Sequence, residues 1–188
     1  MTAYKDTTVN VRESIMTIIN SGLPDRGDSL LNANVQPAQE TGISELFAEF
    51  THKLRSKFRI SKGVLVLRRR PGEPLSAIST WSRGETLDGL SIKLPDQPSL
   101  FERVVAAGRT YWENITDLFT GNFFEKKLLI DEASRSFVLQ PLRYDGEVIG
   151  LVGYSSSDST DFSSFEEDDI QRSTNEFAEF IGNRIGEF

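Results

Sequence analysis

The chain contains no cysteine among its 188 residues. That absence removes disulfides, zinc–thiolate sites, iron–sulfur clusters and thiol nucleophiles together, and it suits a reducing cytoplasm. Histidine is almost as scarce. His52 is the only one, so any Ser/His/Asp relay would have to use it. It stands among Thr51, Lys53 and Arg55, beside the apolar stripe of a helical stretch, and reads as a surface residue. No apolar run approaches the ~20 residues that cross a bilayer. Met1 to Asn10 lack the basic-then-apolar pattern of a secretory signal. The expected location is the cytoplasm, with no membrane partner. Positive charge is also short: 21 Lys and Arg face 28 Asp and Glu, for a net charge of −7. Such a surface repels phosphate backbones, so no nucleic-acid partner is expected. The one basic run, Arg68-Arg69-Arg70, reads as the solvated flank of a turn. There is no P-loop and no dinucleotide fingerprint, and no motif pairs two acids for acid–base work. No catalytic residue is expected.

What remains is enough for one full hydrophobic core, with 13 Phe in 188 residues. Val11, Ile15, Ile18 and Ile19 recur at helical spacing and predict an N-terminal helix over 8–21, stopped by Gly22 and Pro24. The polar stretch from Leu23 to Glu40 reads as a linker. The division is therefore 1–39, helix and linker, and 40–188, the domain.

Inside the domain, Ile43, Leu46, Phe47, Phe50, Leu54 and Phe58 predict the strongest helix. Gly63 to Leu67 and Leu75 to Trp81 predict a hairpin around Pro71-Gly72-Glu73-Pro74. In the second strand Leu75, Ala77, Ser79 and Trp81 share one face. Leu90 to Leu94 predicts a third strand. Ser99 with Glu102 is a capping box opening a helix that stops at Gly108. Arg109 to Trp112 predicts a short strand, and an aromatic-rich crossover, Trp112 to Leu129, contains a helix near 123–130. Arg135 to Arg143 and Glu147 to Tyr154 are the clearest strands, joined by an Asp145-Gly146 type I′ turn. Ser164 with Glu167 predicts the cap of a last helix carrying Ile170, Thr174, Phe177, Ile181 and Ile185. That helix is still in phase at Ile185, which points to a piece of a longer chain. The fold class is α+β. One face of an antiparallel sheet lies under the helix of Ile43–Phe58 and the terminal helix. The other lies partly under the crossover.

Ser136-Phe137-Val138-Leu139-Gln140-Pro141-Leu142, followed by Asp145-Gly146-Glu147-Val148-Ile149-Gly150-Leu151-Val152, resembles the GAF domain family. Family members read a Pro-Leu strand, then Gly-x-Val-Ile-Gly. A loop, a Phe and an acidic helix start follow, matched here by Phe162 or Phe165 and Glu166 to Asp169. The resemblance covers about Glu40 to Arg184. It implies a GAF-like sheet of five or six strands flanked by helices, with the N-terminal helix as an extra. It also implies a regulatory role and a pocket between sheet and crossover. Family ligands include cyclic nucleotides, tetrapyrroles, haem and small metabolites. Without cysteine, covalent bilin attachment and the family's methionine sulfoxide chemistry are both unavailable. Ser155-Ser156 stand where the cyclic-nucleotide signature has Asn-Lys, and Ile170 stands where it has Glu. No residue pattern names a ligand or cofactor.

Trp81, Trp112, Phe123 and Phe124 are the aromatic candidates for lining that pocket; ordinary core is the alternative for each. Arg135 is placed to anchor an anion or to make a surface ion pair, and Asn114 to bond a ligand or form a turn. The acids Glu166 to Asp169 fit a helix N-terminus better than a metal. Two functions follow: a small-molecule sensor signalling through its terminal helices, or a ligand-free module for dimerisation or protein contact. The 4-3 spacing of Val11, Ile15 and Ile18 resembles a coiled-coil seam. With Phe177 and Ile181 it makes a homodimer interface the expectation.

Overall fold

In strand β1 (Ile60–Leu67) Leu65 and Leu67 face one core while Val64 and Val66 face another. Successive strand residues point to opposite faces, so a strand buried throughout must be covered on both sides. The same split recurs in β6 (Ser136–Tyr144), where Val138 and Leu142 oppose Phe137 and Leu139. The computed structural model describes residues 37–82, 85–87, 92–95, 98–114, 116–165 and 168–186, all within one compact unit, Val35–Phe188. The N-terminal helix expected over 8–21, with Val11, Ile15 and Ile18, lies outside the described residues.

The sheet adds β2 (Ser76–Ser82), β3 (Glu85–Leu87), β4 (Ile92–Lys93), β5 (Tyr111–Glu113) and β7 (Glu147–Ser156). Its order is β3-β2-β1-β7-β6-β5, six strands in a continuous path, with the two-residue β4 also on β2. Every pairing is antiparallel. Helices α1 (Pro37–Leu54) and α4 (Asp168–Gly186) supply one covering layer. Helices α2 (Leu100–Ala107) and α3 (Phe123–Leu129) supply the other. This is the α+β, GAF-like arrangement expected from the order of elements.

The local signals act as their chemistry requires. Ile43, Phe47, Phe50 and Leu54 recur at i+4, i+3 and i+4 in α1 and are all buried. Phe58 is buried too, but past the helix end, within a turn that follows Leu54. Ser99 accepts from the Glu102 amide at 2.9 Å and starts α2. The β6–β7 hairpin turns on Asp145 and Gly146, with φ of 49° and 81°, the two positive values of a type I′ turn. At Gly150 the strands run so close that an added Cβ would collide with the Val66 carbonyl oxygen.

Three expectations change. Leu65 pairs with Ser79 and Val66 with Ala77, which leaves Ile78 as an extra residue in β2. Such a bulge interrupts alternation. Leu75 and Ala77 therefore face α2, whereas Trp81 faces α1. Ser164 belongs to a 3₁₀ turn, Asp161–Ser164, and α4 starts only at Asp168; Phe162 and Phe165 of that turn pack on Phe58, with ring centroids 5.6 and 5.3 Å away. Phe177 and Ile181, expected at a dimer seam, are core residues at 4% and 0% exposure. Phe177 stacks on Phe50 of α1 and packs in the same core as Ile181 over the sheet, so the stripe turns inward.

Candidate functional site

Side chains of the crossover pack against the sheet. Leu128 and Leu129 of α3 pack with Phe137, Leu139 and Leu151 from β6 and β7. Glu125, wholly buried, reaches from α3 to the start of α2. Its carboxylate accepts from the amides of Leu100 and Phe101, each at 3.0 Å, from the Asn122 amide at 2.9 Å, and from the Ser99 hydroxyl. Helix N-termini carry unpaired N–H groups and favour negative charge. Here a side chain of the crossover satisfies them. Asn122 accepts from the Glu125 amide in return, completing a capping box at α3.

Beside α3, Lys62 donates to the Lys127 carbonyl at 2.6 Å. Burial holds its pKa below the usual ammonium value, partly opposed by Asp131. Ser155 lies 3.0 Å from the Ser61 hydroxyl and 3.1 Å from that of Ser134, which itself donates to Asp131 at 2.7 Å. This hydroxyl chain ties β1, β7 and the loop after α3 together. No sequence motif marks it, because its members come from three distant segments.

The six expected ligand contacts do not share a pocket. Trp81 lies under α1, with the Arg55 guanidinium 4.9 Å from its ring centre. Phe123 and Phe124 ride on α3, across the sheet, in an edge-to-face pair at 5.9 Å. Phe123 is 57% exposed, with Lys127 over its ring. Trp112, 40% exposed, sits on edge strand β5, and the exposed Asn114 follows it. Arg135 donates to the carbonyls of Glu132 and Ser134 at 3.0 and 2.9 Å and is exposed. His52 is exposed on α1, as expected.

Two open spaces lie on the other face. A groove of about 500 Å³ between α1 and β2–β3 is walled by His52, Arg55, Trp81 and Thr86. A second cavity, about 310 Å³, lies between the end of α2, β6 and α4 and is lined by Arg109, Thr110, Gln140, Arg143, Gln171 and Asn175. Gln140 follows Val138 on the face that α4 covers and is buried. Thr110 donates to its Oε1 at 2.5 Å, and Gln171 meets it across 3.4 Å. Arg143 donates to the Gly108 carbonyl at 2.8 Å. Sequence reasoning missed this cavity, since it gathers polar residues from three separated segments. Among the described residues no group of three or more His, Asp or Glu side chains is placed to hold a metal ion.

No protein-family model matches the chain, and no curated protein matches it. Solved structures do. The GAF domain of a two-component sensor histidine kinase from Bacillus halodurans is similar over 74% of this chain and 92% of its own, at 17% identity and a TM-score of 0.59. The GAF domain of an Acinetobacter phosphoenolpyruvate-protein phosphotransferase is similar over 98% and 95%, at 11% identity and a TM-score of 0.56. A type II free methionine-R-sulfoxide reductase from Thermoplasma acidophilum is similar over 80% and 96%, at 18% identity and a TM-score of 0.53. Strand order, helix placement and these likenesses agree: the chain has the GAF fold.

Proposed function

We propose that the chain is a non-enzymatic regulatory module that senses a small molecule and passes its state through its terminal helices to a signalling partner in the cytoplasm. The observation that carries this reading is the polar cavity walled on one side by α4. The same helix stacks Phe177 on Phe50 of α1, with ring centroids 4.5 Å apart and planes 4° from parallel. A ligand against α4 would thus act on a helix pair that covers one face of the sheet. The similar Thermoplasma protein is an enzyme, but this chain has no cysteine for thiol chemistry. Native mass spectrometry of the full chain purified from its own host tests the reading. The expected result is a retained small molecule; bare polypeptide mass under gentle ionisation, across growth conditions, would overturn it.

A second reading, a ligand-free module for dimerisation or protein contact, draws on the crossover side, where Glu125 and Leu129 are wholly buried. The homodimer proposal rests on Val11, Ile15 and Ile18 now that Phe177 and Ile181 are core residues. Light scattering should find a dimer that Ile15→Glu with Ile18→Glu converts to monomer. A wild type monomeric at high concentration ends that proposal.

A further inference from the structure

The formal charge around the cavity beside α4 is one-sided among the described residues. Arg109 and Arg143 bring guanidinium groups, which only donate, and among the described residues no Asp or Glu lines the space. Among the described residues neither arginine has a carboxylate partner, in a chain with seven more acids than bases by formal charge. The acceptor on Gln140 is already taken by Thr110. The amide donors of Gln140 and Gln171 reach their partners only at 3.4–3.5 Å, beyond a well-formed N–H···O bond. Donors held loosely around a concave space, with two guanidinium groups that meet no carboxylate among the described residues, call for a ligand rich in acceptors and negative in charge. The volume, about 310 Å³, sits at the small end of ligand pockets.

We propose that this cavity binds a small organic anion through a phosphate or carboxylate group. Arg109 and Arg143 supply the charge from the sheet side, and Gln171 and Asn175, one turn apart on α4, supply amide donors from the helix side. The anion therefore bridges α4 to β6 and the end of α2. This ligand class rests on the sensor reading above. It goes beyond that reading in naming the chemical class of the ligand and the residues that hold it.

The test is amide NMR of the full chain titrated with inorganic phosphate and, separately, succinate, at fixed ionic strength with chloride as reference. Side-chain amide signals of Gln140, Gln171 and Asn175 should shift saturably with at least one probe; which one does distinguishes phosphate from carboxylate. Arg109→Gln, on an exposed position, should weaken binding at least tenfold, and Arg109→Gln with Arg143→Gln should abolish it. Arg172→Gln, exposed on α4 outside the cavity, should leave it unchanged. No saturable shift with either probe, or equal binding by the double variant, overturns the site. A host ligand retained equally by wild type and double variant in native mass spectrometry would overturn the site while leaving sensing intact.

Discussion

Removing the Glu125 carboxylate takes the acceptor from four donors at once: the amides of Leu100, Phe101 and Asn122 and the Ser99 hydroxyl. Buried donors left unpaired cost more than a hydrogen bond contributes when made. Glu125→Ala should destabilise the fold by about 3 kcal/mol, and Glu125→Gln, which keeps shape and one oxygen, by about half that. Urea unfolding measures both; a loss under ~0.5 kcal/mol for the alanine would show that water replaces the carboxylate freely. Tyr154 offers a second residue-level test. Its hydroxyl lies 3.0 Å from the Thr51 hydroxyl, and burial pushes the phenol well above its ordinary 10.0. The folded chain keeps that proton where the unfolded chain releases it. The stability this group confers is therefore complete below about pH 10 and declines as pH rises further. Tyr154→Phe should cost about 1 kcal/mol near neutrality, and the gap to wild type should narrow in unfolding curves taken at about pH 11.

Among the elements, two glycines of one hairpin separate turn geometry from strand contact. Gly146→Ala strains a residue at φ 81° with nothing near its new methyl group, and should cost about 1 kcal/mol. Gly150→Ala drives a methyl group into the Val66 carbonyl within the β1–β7 ladder. It should cost more, about 2–3 kcal/mol, because a paired backbone cannot yield as a side chain does; thermal unfolding ranks the two. The contrast also marks what the sequence makes legible. The Asp145-Gly146 turn, the Ser99 cap and the α1 stripe are set within a few residues of chain, so propensity and spacing reveal them. The bulge at Ile78 and the three residues of β3 are set by the partner strand. Simple alternation therefore groups Trp81 with Leu75 and Ala77, a face it does not share, and no local signal marks β3. The cavity beside α4 is further from view, since Arg109, Gln140 and Gln171 acquire a common purpose only once β6 and α4 are packed together.

At the scale of the whole molecule, α1 and α4 share one core and stack through Phe50 and Phe177. Phe177→Ala should cost about 3–4 kcal/mol and raise hydrogen exchange in both helices together; faster exchange in α4 alone would show that the two do not move as a unit. The placement of the tryptophans has a practical consequence. The chain has two, Trp81 at 4% exposure beneath α1 and Trp112 at 40% on the edge strand that follows Thr110. Iodide should quench Trp112 and spare Trp81, giving unlabelled protein two optical channels. A change confined to the quenchable component reports an event at the β5 edge. A red shift of the shielded component reports α1 lifting from the sheet.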